Sequence, residues 1–522
     1  MKYLQVMVIL SVFSLTAFSQ IKLPSLISDN MVIQRDSEIS LWGSGSGKVT
    51  VKPSWTDETY TADCDSEGKW LVKVKTPAAG KPCKIDFTDA DGSVGVANVL
   101  PGEVWLCAGQ SNMQFNLSRS YMSNSEVALA KYPDIRLFTV EPAYADEPQT
   151  ECAGRWYLCD SETVRGFSAV GYFFAKELYA YLGVPIGLID NSWGGTPAQS
   201  WVKRQVLESD DDLKPILARD METIANKSVY EKEYEQTLKV WQQDVDKAKQ
   251  LGKTAPVKPL PPMGLRPQNR SCTLYNAMIY PLLNYKIKGV IWYQGESNVD
   301  RAYQYRELFA SLIESWRQDW NDPDMPFYFV QLASFYIQSP NEHPAVWPAK
   351  GEPADDVWAE LREAQLMTLK LKNTGMACII DIGEPYDIHP SNKLDVGRRL
   401  SLWALSGTYG IKDIVVSGPL YKSFAVEGDK IRVSFDHTAG GLMAKGAAVE
   451  GFQIAGEDKK FVWADAVIEG DTVVVSSEAV KMPVALRYAW AIWPYCNLFN
   501  DKGLPASPFR TDDWKGITDD LH

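Results

Sequence analysis

Between Glu103 and about residue 415 the chain alternates short, wholly apolar runs with stretches of helical period, and no other feature restricts its fold as much. Strand-like "VWLCAG" is followed by helix-like "SAVGYFFAKELYAYLG" and strand-like "PIGLIDNSW". "NYKIKGVIWYQG" leads into "YQYRELFASLIESWRQDW", and "PFYFVQLA", "LREAQLMTLKL" and "MACIIDIGE" continue the series. A strand apolar on every residue must be buried on both faces, and strands separated by helices pair in parallel. The region therefore predicts a mostly parallel sheet covered by helices on both sides, an α/β fold. The series is interrupted at about 203–268 by charged, helix-forming "ANKSVYEKEYEQTLKVWQQDVDKAKQ" and the stiff "TAPVKPLPPMGLRPQ". An inserted helical hairpin with a proline-rich return is predicted there, either a solvated decoration or a cap over a site.

The flanks have a different texture. From about 21 to 100, "EISLWGSGSGKVTVKPSW", "GKWLVKVKTP" and "CKIDFTD" are short alternating strands with Gly, Asp and Pro turns, a small N-terminal β-sandwich. From about 416 to 522 the pattern is β-rich again, as in "KIRVSFDHT" and "FVWADAVIEGDTVVVSS". The expected domains are thus 21–100, 101–415 and 416–522, in keeping with 522 residues being too many for one hydrophobic core. Residues 1–20, "MKYLQVMVILSVFSLTAFSQ", carry a basic Lys2, an apolar run and small residues before Gln20, the pattern of a signal peptide. No cysteine follows that run directly, so a lipid anchor is not expected. No later stretch stays apolar for the roughly 18 residues a membrane helix needs. The expectation is an exported, soluble protein, periplasmic if the source is a Gram-negative bacterium.

Export permits disulfides. Spacing among the eight cysteines leaves open a Cys152–Cys159 loop and a Cys64–Cys83 bridge, while Cys107 and Cys378 sit in apolar strands as expected buried thiols. The absence of C-x-x-C argues against a zinc ribbon. Asn116, Asn226 and Asn269 begin N-x-Ser sequons, relevant only in a eukaryotic secretory pathway. A formal net charge of -13 argues against a nucleic-acid partner, which needs a basic face, but leaves room for an anionic small molecule held by one or two arginines.

In open α/β sheets ligands bind at the carboxyl ends of strands. Four polar motifs lie just past strand-like runs: "GQSNM" (109–113), "NSWGGTP" (191–197), "YQGESN" (293–298) and "GEPYDIHP" (383–390). Any one of them reads as a turn; four in one domain are hard to treat as unrelated turns. Ser111 stands where the first strand meets water, and a serine nucleophile needs a base with a near-neutral pKa, usually histidine. Of four histidines, His522 is terminal, His437 falls in the later β region, and His343 lies in the proline-flanked "SPNEHPAVWP". His389 alone follows a strand of the α/β region, just before the helix-like "NKLDVGRRLSLWAL", and by elimination it pairs with Ser111. Gly194 and Gly195 allow close backbone approach to such a serine. Arg204, Arg270 and Arg301 flank the motif loops and could grip a carboxylate or serve as surface ion pairs.

"WLCAGQSNM", "GVIWYQGESN" and "DIHP" resemble the sialate O-acetylesterase family, carbohydrate O-acetylesterases of the SGNH-hydrolase superfamily. The resemblance extends to "SDNMVIQRD" and "NAMIYPLLNYKIKGVIWYQGESN", across nearly the whole chain after residue 20. It implies a flavodoxin-like three-layer α/β/α core, an acetyl ester on a sugar as substrate, and no metal or organic cofactor. It implies Ser111 as nucleophile and His389 as base, with an acetyl-serine intermediate. The oxyanion donors implied are the backbone at Ser111 and Gly194 and a side-chain amide, Gln294 first or Asn298. The superfamily's orienting Asp stands three residues before its histidine, and here that position is Tyr386. The carboxylate is then Asp387, which we favour, or Glu384, Glu296 or none; Glu296 reads better as a buried structural acid. G-x-S-x-G is absent, which counts against an α/β-hydrolase elbow.

O-acetylated sialic acid and acetylated plant polysaccharide such as xylan call for the same chemistry and differ in that only sialate presents a carboxylate. A non-catalytic carbohydrate-binding protein is the reading from another class, suggested by β-rich flanks with 18 Trp and 24 Tyr. It would leave Ser111, His389 and an amide at strand ends without a purpose.

Overall fold

The computed structural model describes residues 21–336 and 351–522. The signal-peptide reading of 1–20 and His343 lie outside the described residues. A central mixed sheet runs in the order Thr374–Cys378, Phe327–Gln331, Gly289–Tyr293, Ser93–Gly109, Ile186–Ser192, Lys131–Thr139, Trp156–Asp160. All neighbours on this path are parallel except the last pair, which is antiparallel. Those last two strands were not among the apolar runs read from the sequence. Each carries charged or exposed residues, as a strand near a sheet edge can.

Alternation on adjacent strands decides which residues meet which helices. Trp105 packs against Phe174 of helix Ala169–Leu182, ring centroids 5.0 Å apart. Trp292, in register with Ala108 and so on the opposite face, packs against Phe309 and Trp316 of helix Ala302–Asp319 at 6.1 and 5.8 Å. Helix Lys393–Trp403 approaches Ala169–Leu182 so closely that a Cβ on Gly397 would lie 2.8 Å from the Val170 carbonyl oxygen. Helix Val357–Met367 joins Ala302–Asp319 through Arg306 and Glu363, 2.7 Å apart.

Strand Ser93–Gly109 runs unbroken through the expected boundary at 100/101. Its first half pairs antiparallel with Cys83–Thr88, and its second half is the middle of the central sheet. The change of texture at residue 100 is therefore a change from half-buried to fully buried strand, not a linker. Before it, Lys69–Lys75 alternates exposed and buried, and its Trp70 meets Phe87 of the neighbouring sheet at 5.8 Å. The interruption at 203–268 contains helices Arg204–Ser209, Lys214–Ala225 and Lys227–Gln250; no residue of the last is buried. The proline-rich segment returns along it, where Trp241 Nε1 donates to the Pro256 carbonyl and Tyr234 to that of Pro259.

The C-terminal strands form further small sheets around a second apolar core that includes Ile431, Val433, Phe452, Tyr488 and Phe509. Arg362, fully buried, ties them to the central region by donating to the carbonyls of Leu332, Ala333, Ala491 and Ile492 at 2.6–3.0 Å. All eight cysteines are described and all are free thiols, so neither spacing-based pairing forms. Cys107 and Cys378 are buried. Among the described residues no helix is long and apolar enough to cross a membrane.

Candidate active site

The first strand ends on a backbone shape that only glycine suits. Gly109 has φ +135, and a Cβ there would lie 2.2 Å from the Tyr293 carbonyl oxygen. The next residue's N–H donates to that carbonyl at 3.0 Å, and Trp193 N–H donates to Gly109 O at 3.0 Å. The turn is thus bonded to both neighbouring strand ends before Ser111 opens the short helix Ser111–Gln114. In that first turn the Ser111 N–H has no intrahelical acceptor.

His389 comes from the loop after strand Thr374–Cys378, and its Nε2 lies 2.8 Å from Ser111 Oγ, across 278 positions of chain. Both residues are half-buried. The loop is braced from within: Asp387 Oδ1 accepts the His389 N–H at 2.8 Å, and Glu384 Oε1 accepts both the N–H and the hydroxyl of Ser391 at 2.7 Å. Asp387 also lies 3.4 Å from His389 Nδ1, a charge contact longer than a good hydrogen bond, with its side chain 52% exposed. Desolvation holds the His389 pKa below its ordinary value; Asp387 opposes that shift, and Lys393 and Arg119 add to it.

Gly194 is brought against the serine. A Cβ on it would lie 3.2 Å from Ser111 Cβ, and its N–H donates to Gln114 Oε1 at 2.9 Å. The side-chain amides expected beside it are used elsewhere. Gln294 is fully buried; its Nε2 donates to Asn298 Oδ1 at 2.7 Å and to the Thr196 carbonyl at 3.3 Å, and its Oε1 accepts from Tyr305. Asn298 Nδ2 donates to Gln199, and its Oδ1 also accepts the Ala198 N–H. These two amides tie the "YQGESN" and "NSWGGTP" loops together from below; both N–H groups of Gln294 are used there, whereas Asn298 Nδ2 donates to Gln199 alone among the described residues and keeps a second N–H.

Glu296 makes no bond to His389. Its Oε1 accepts from Asn112 Nδ2 at 2.5 Å, its Oε2 is buried without a partner, and desolvation raises its pKa. Asn112 also donates to the Ile388 carbonyl at 3.0 Å and accepts from Lys393 Nζ at 2.6 Å. Lys393 has no exposed surface, and burial pushes its pKa down to about 7. The sequence reading missed both residues. Asn112 sat inside a motif already singled out, whereas nothing local marks Lys393, the first residue of its helix, as buried.

Of the expected arginines, Arg204 pairs with Glu208 and Arg270 with Asp146, each at 2.7 Å, while Arg301 is half-buried with its Nε unpartnered. Two arginines not singled out border the serine's surroundings. Arg266 Nη1 is 3.8 Å from where a Cβ on Gly195 would be, and the Arg119 guanidinium lies 4.7 Å above the Phe115 ring. Neither has a carboxylate partner among the described residues. Among the described residues no cluster of three or more His, Cys, Asp or Glu is arranged to hold a metal ion.

Residues 101–249 and 266–396 match the family described as carbohydrate esterase, sialic acid-specific acetylesterase. The gap falls on the proline-rich return. The chain is 29% identical to the sialate O-acetylesterase of Mus musculus, covering 97% of this chain and 96% of that one, and 29% identical to that of Homo sapiens, covering 93% and 91%. Among solved structures it is similar to a carbohydrate acetylesterase from Xanthomonas citri, with 36% identity, a TM-score of 0.78, and coverage of 95% of this chain and 100% of that one.

Proposed function

This chain belongs to the sialic acid-specific acetylesterase family of carbohydrate esterases, and we propose that it is an exported serine esterase that removes O-acetyl groups from sialic acids. As a member it is a carboxylic ester hydrolase acting on acetylated carbohydrate. The observation that carries the mechanism is the 2.8 Å contact between Ser111 Oγ and His389 Nε2. In this reading His389 takes the hydroxyl proton as Ser111 attacks the acetyl carbonyl. The N–H groups of Ser111 and Gly194 receive the oxyanion, the latter exchanging its Gln114 partner for the substrate. His389 then protonates the departing sugar oxygen and activates the water that releases acetate from the acetyl-serine. Asp387 is the carboxylate that orients the imidazole, loosely. Both N–H groups of Gln294 are spent on the loops beneath, so the side-chain amide donor in this reading is Asn298, whose Nδ2 keeps one N–H beyond its bond to Gln199.

The finer architecture belongs to the same reading. Helices against both faces, and a serine at the strand from which the chain crosses first to one side of the sheet and then to the other, support a flavodoxin-like SGNH core. We take 101–415 as the catalytic unit with 203–268 inserted, 21–100 and 416–522 as β-rich companions, and 1–20 as the export signal.

Sialate differs from neutral sugars by its carboxylate, and Arg119 and Arg266 are cations beside the site without a carboxylate partner among the described residues. Acetate release from 9-O-acetylated sialic acid and from acetylated xylan, measured with one preparation, tests the substrate. A higher kcat/KM on the sialate is expected; the reverse order assigns the enzyme to plant polysaccharide, and activity on neither returns it to carbohydrate binding. The base predicts a pH dependence of definite sign. Because His389 must be neutral and its pKa is lowered, kcat/KM should hold below pH 6.5, the ordinary histidine value, and fall only as pH drops through the lowered pKa. An acid limb above 6.5, or a rate flat to about pH 4, contradicts the assignment.

A further inference from the structure

Lys393 is an expensive residue to bury. Lysine is almost never fully buried without a reason, because removing an ammonium from water costs several kcal/mol. A methionine would fill similar space without that cost, so the charge calls for an explanation. Lys393 opens the helix that follows His389, yet its Nζ reaches back across the sheet edge. It lies 2.6 Å from Asn112 Oδ1, 4.8 Å from the centre of the Phe115 ring and 5.2 Å from that of Tyr293. The ammonium thus meets the nucleophile turn and the end of strand Gly289–Tyr293 while standing on the histidine's own segment.

The amide between them has only one workable orientation. The Asn112 oxygen faces the ammonium, and its NH2 faces the Glu296 carboxyl at 2.5 Å and the Ile388 carbonyl at 3.0 Å. Flipping it would put NH2 against NH3+ and oxygen against oxygen. Asn112 follows Ser111 directly and Ile388 precedes His389, so the amide joins the two segments whose side chains sit 2.8 Å apart.

We propose that Lys393 is a positioning residue: through Asn112, with Glu296 as counter-charge, it holds the Ser111 turn and the His389 loop in reactive register. The proposal rests on Ser111 and His389 being the catalytic pair. The ammonium also acts on the base. Glu296, Glu384 and Asp387 favour the charged lysine and Arg119 opposes it, while the charged lysine lowers the His389 pKa. Tyr293 faces it with its ring.

Lys393→Met should therefore lower kcat roughly 10²-fold with KM little changed, the cost of a misplacement of about 1 Å. It should also move the acid limb of kcat/KM upward, because His389 loses a neighbouring positive charge. Glu296→Gln keeps an acceptor for Asn112 but removes the largest of the three carboxylate charges that favour the protonated Lys393, so it should cost less kcat and move the limb the same way. Thermal unfolding reports whether each variant folds. A folded Lys393→Met with wild-type kcat, or with lost activity and an unmoved limb, overturns the proposal. Should Lys393→Met not fold, an unmoved limb in Glu296→Gln overturns it alone. Ser111→Ala is the separate control: activity surviving there overturns the catalytic pair, whereas activity lost there and kept in Lys393→Met overturns only the positioning role.

Discussion

Ser111→Ala is expected to lower kcat by about 10⁶-fold while leaving the thermal transition within a degree or so of the parent. The magnitude follows from removing the nucleophile of a constellation that acts as a unit, for which losing the nucleophile or the base alone costs about as much as removing every member. The unchanged stability follows from the contacts. Ser111 is half-buried and its hydroxyl bonds to His389 alone, so deletion leaves no buried group unpaired. The neighbouring turn is held by backbone bonds to Tyr293 and Trp193, which the substitution does not touch. Acetate release in single-turnover assays checks the rate. A loss of less than about 100-fold would mean that water is activated elsewhere, and the acetyl-serine route would fall.

His389→Ala should approach the same loss, and Asp387→Asn should fall far short of it. A buried triad carboxylate is worth about 10⁴ in kcat because it fixes the tautomer and stabilises the imidazolium in a low dielectric. Asp387 has neither advantage: it lies 3.4 Å from Nδ1 and is 52% exposed, so water screens it. Its stronger contact is with the His389 backbone at 2.8 Å, which an asparagine oxygen can also accept. Parallel kcat measurements on the two variants decide the matter. A 10⁴-fold loss in Asp387→Asn would overturn the view of Asp387 as a loose orienter, and recovery of His389→Ala by added imidazole would support the base.

The histidine was legible because the chain offers few, and only His389 follows a strand of the α/β region. The serine was legible because a wholly apolar strand stops on Gly-Gln-Ser-Asn, and the structure supplies the reason for the glycine in the Tyr293 carbonyl that crowds it. The resemblance implies an oxyanion amide in the third motif, and Gln294 comes before Asn298 there only because it follows the strand directly. Place in a motif says which loop a side chain belongs to, not which way its amide is turned. Asn298, Thr196 and Tyr305 claim that amide from positions no local pattern connects to it. The strand Ser93–Gly109 taught a similar lesson: the change at residue 100 is one of burial, and burial is conferred by neighbours far along the chain.

By itself, then, the sequence determined the alternation of buried strands and helices, the strand ends at which polar loops emerge, and the scarcity that singled out His389. Period and turn chemistry are local properties, written within a few residues. Only the tertiary structure decided that Asn112 bridges Glu296 to Lys393, that Gln294 faces the scaffold, and that Arg119 lies over Phe115 and Arg266 beside Gly195. Those outcomes depend on which hydrogen-bond partners and charges remain once distant segments are packed, and a buried polar group takes whichever partner spares it the cost of desolvation.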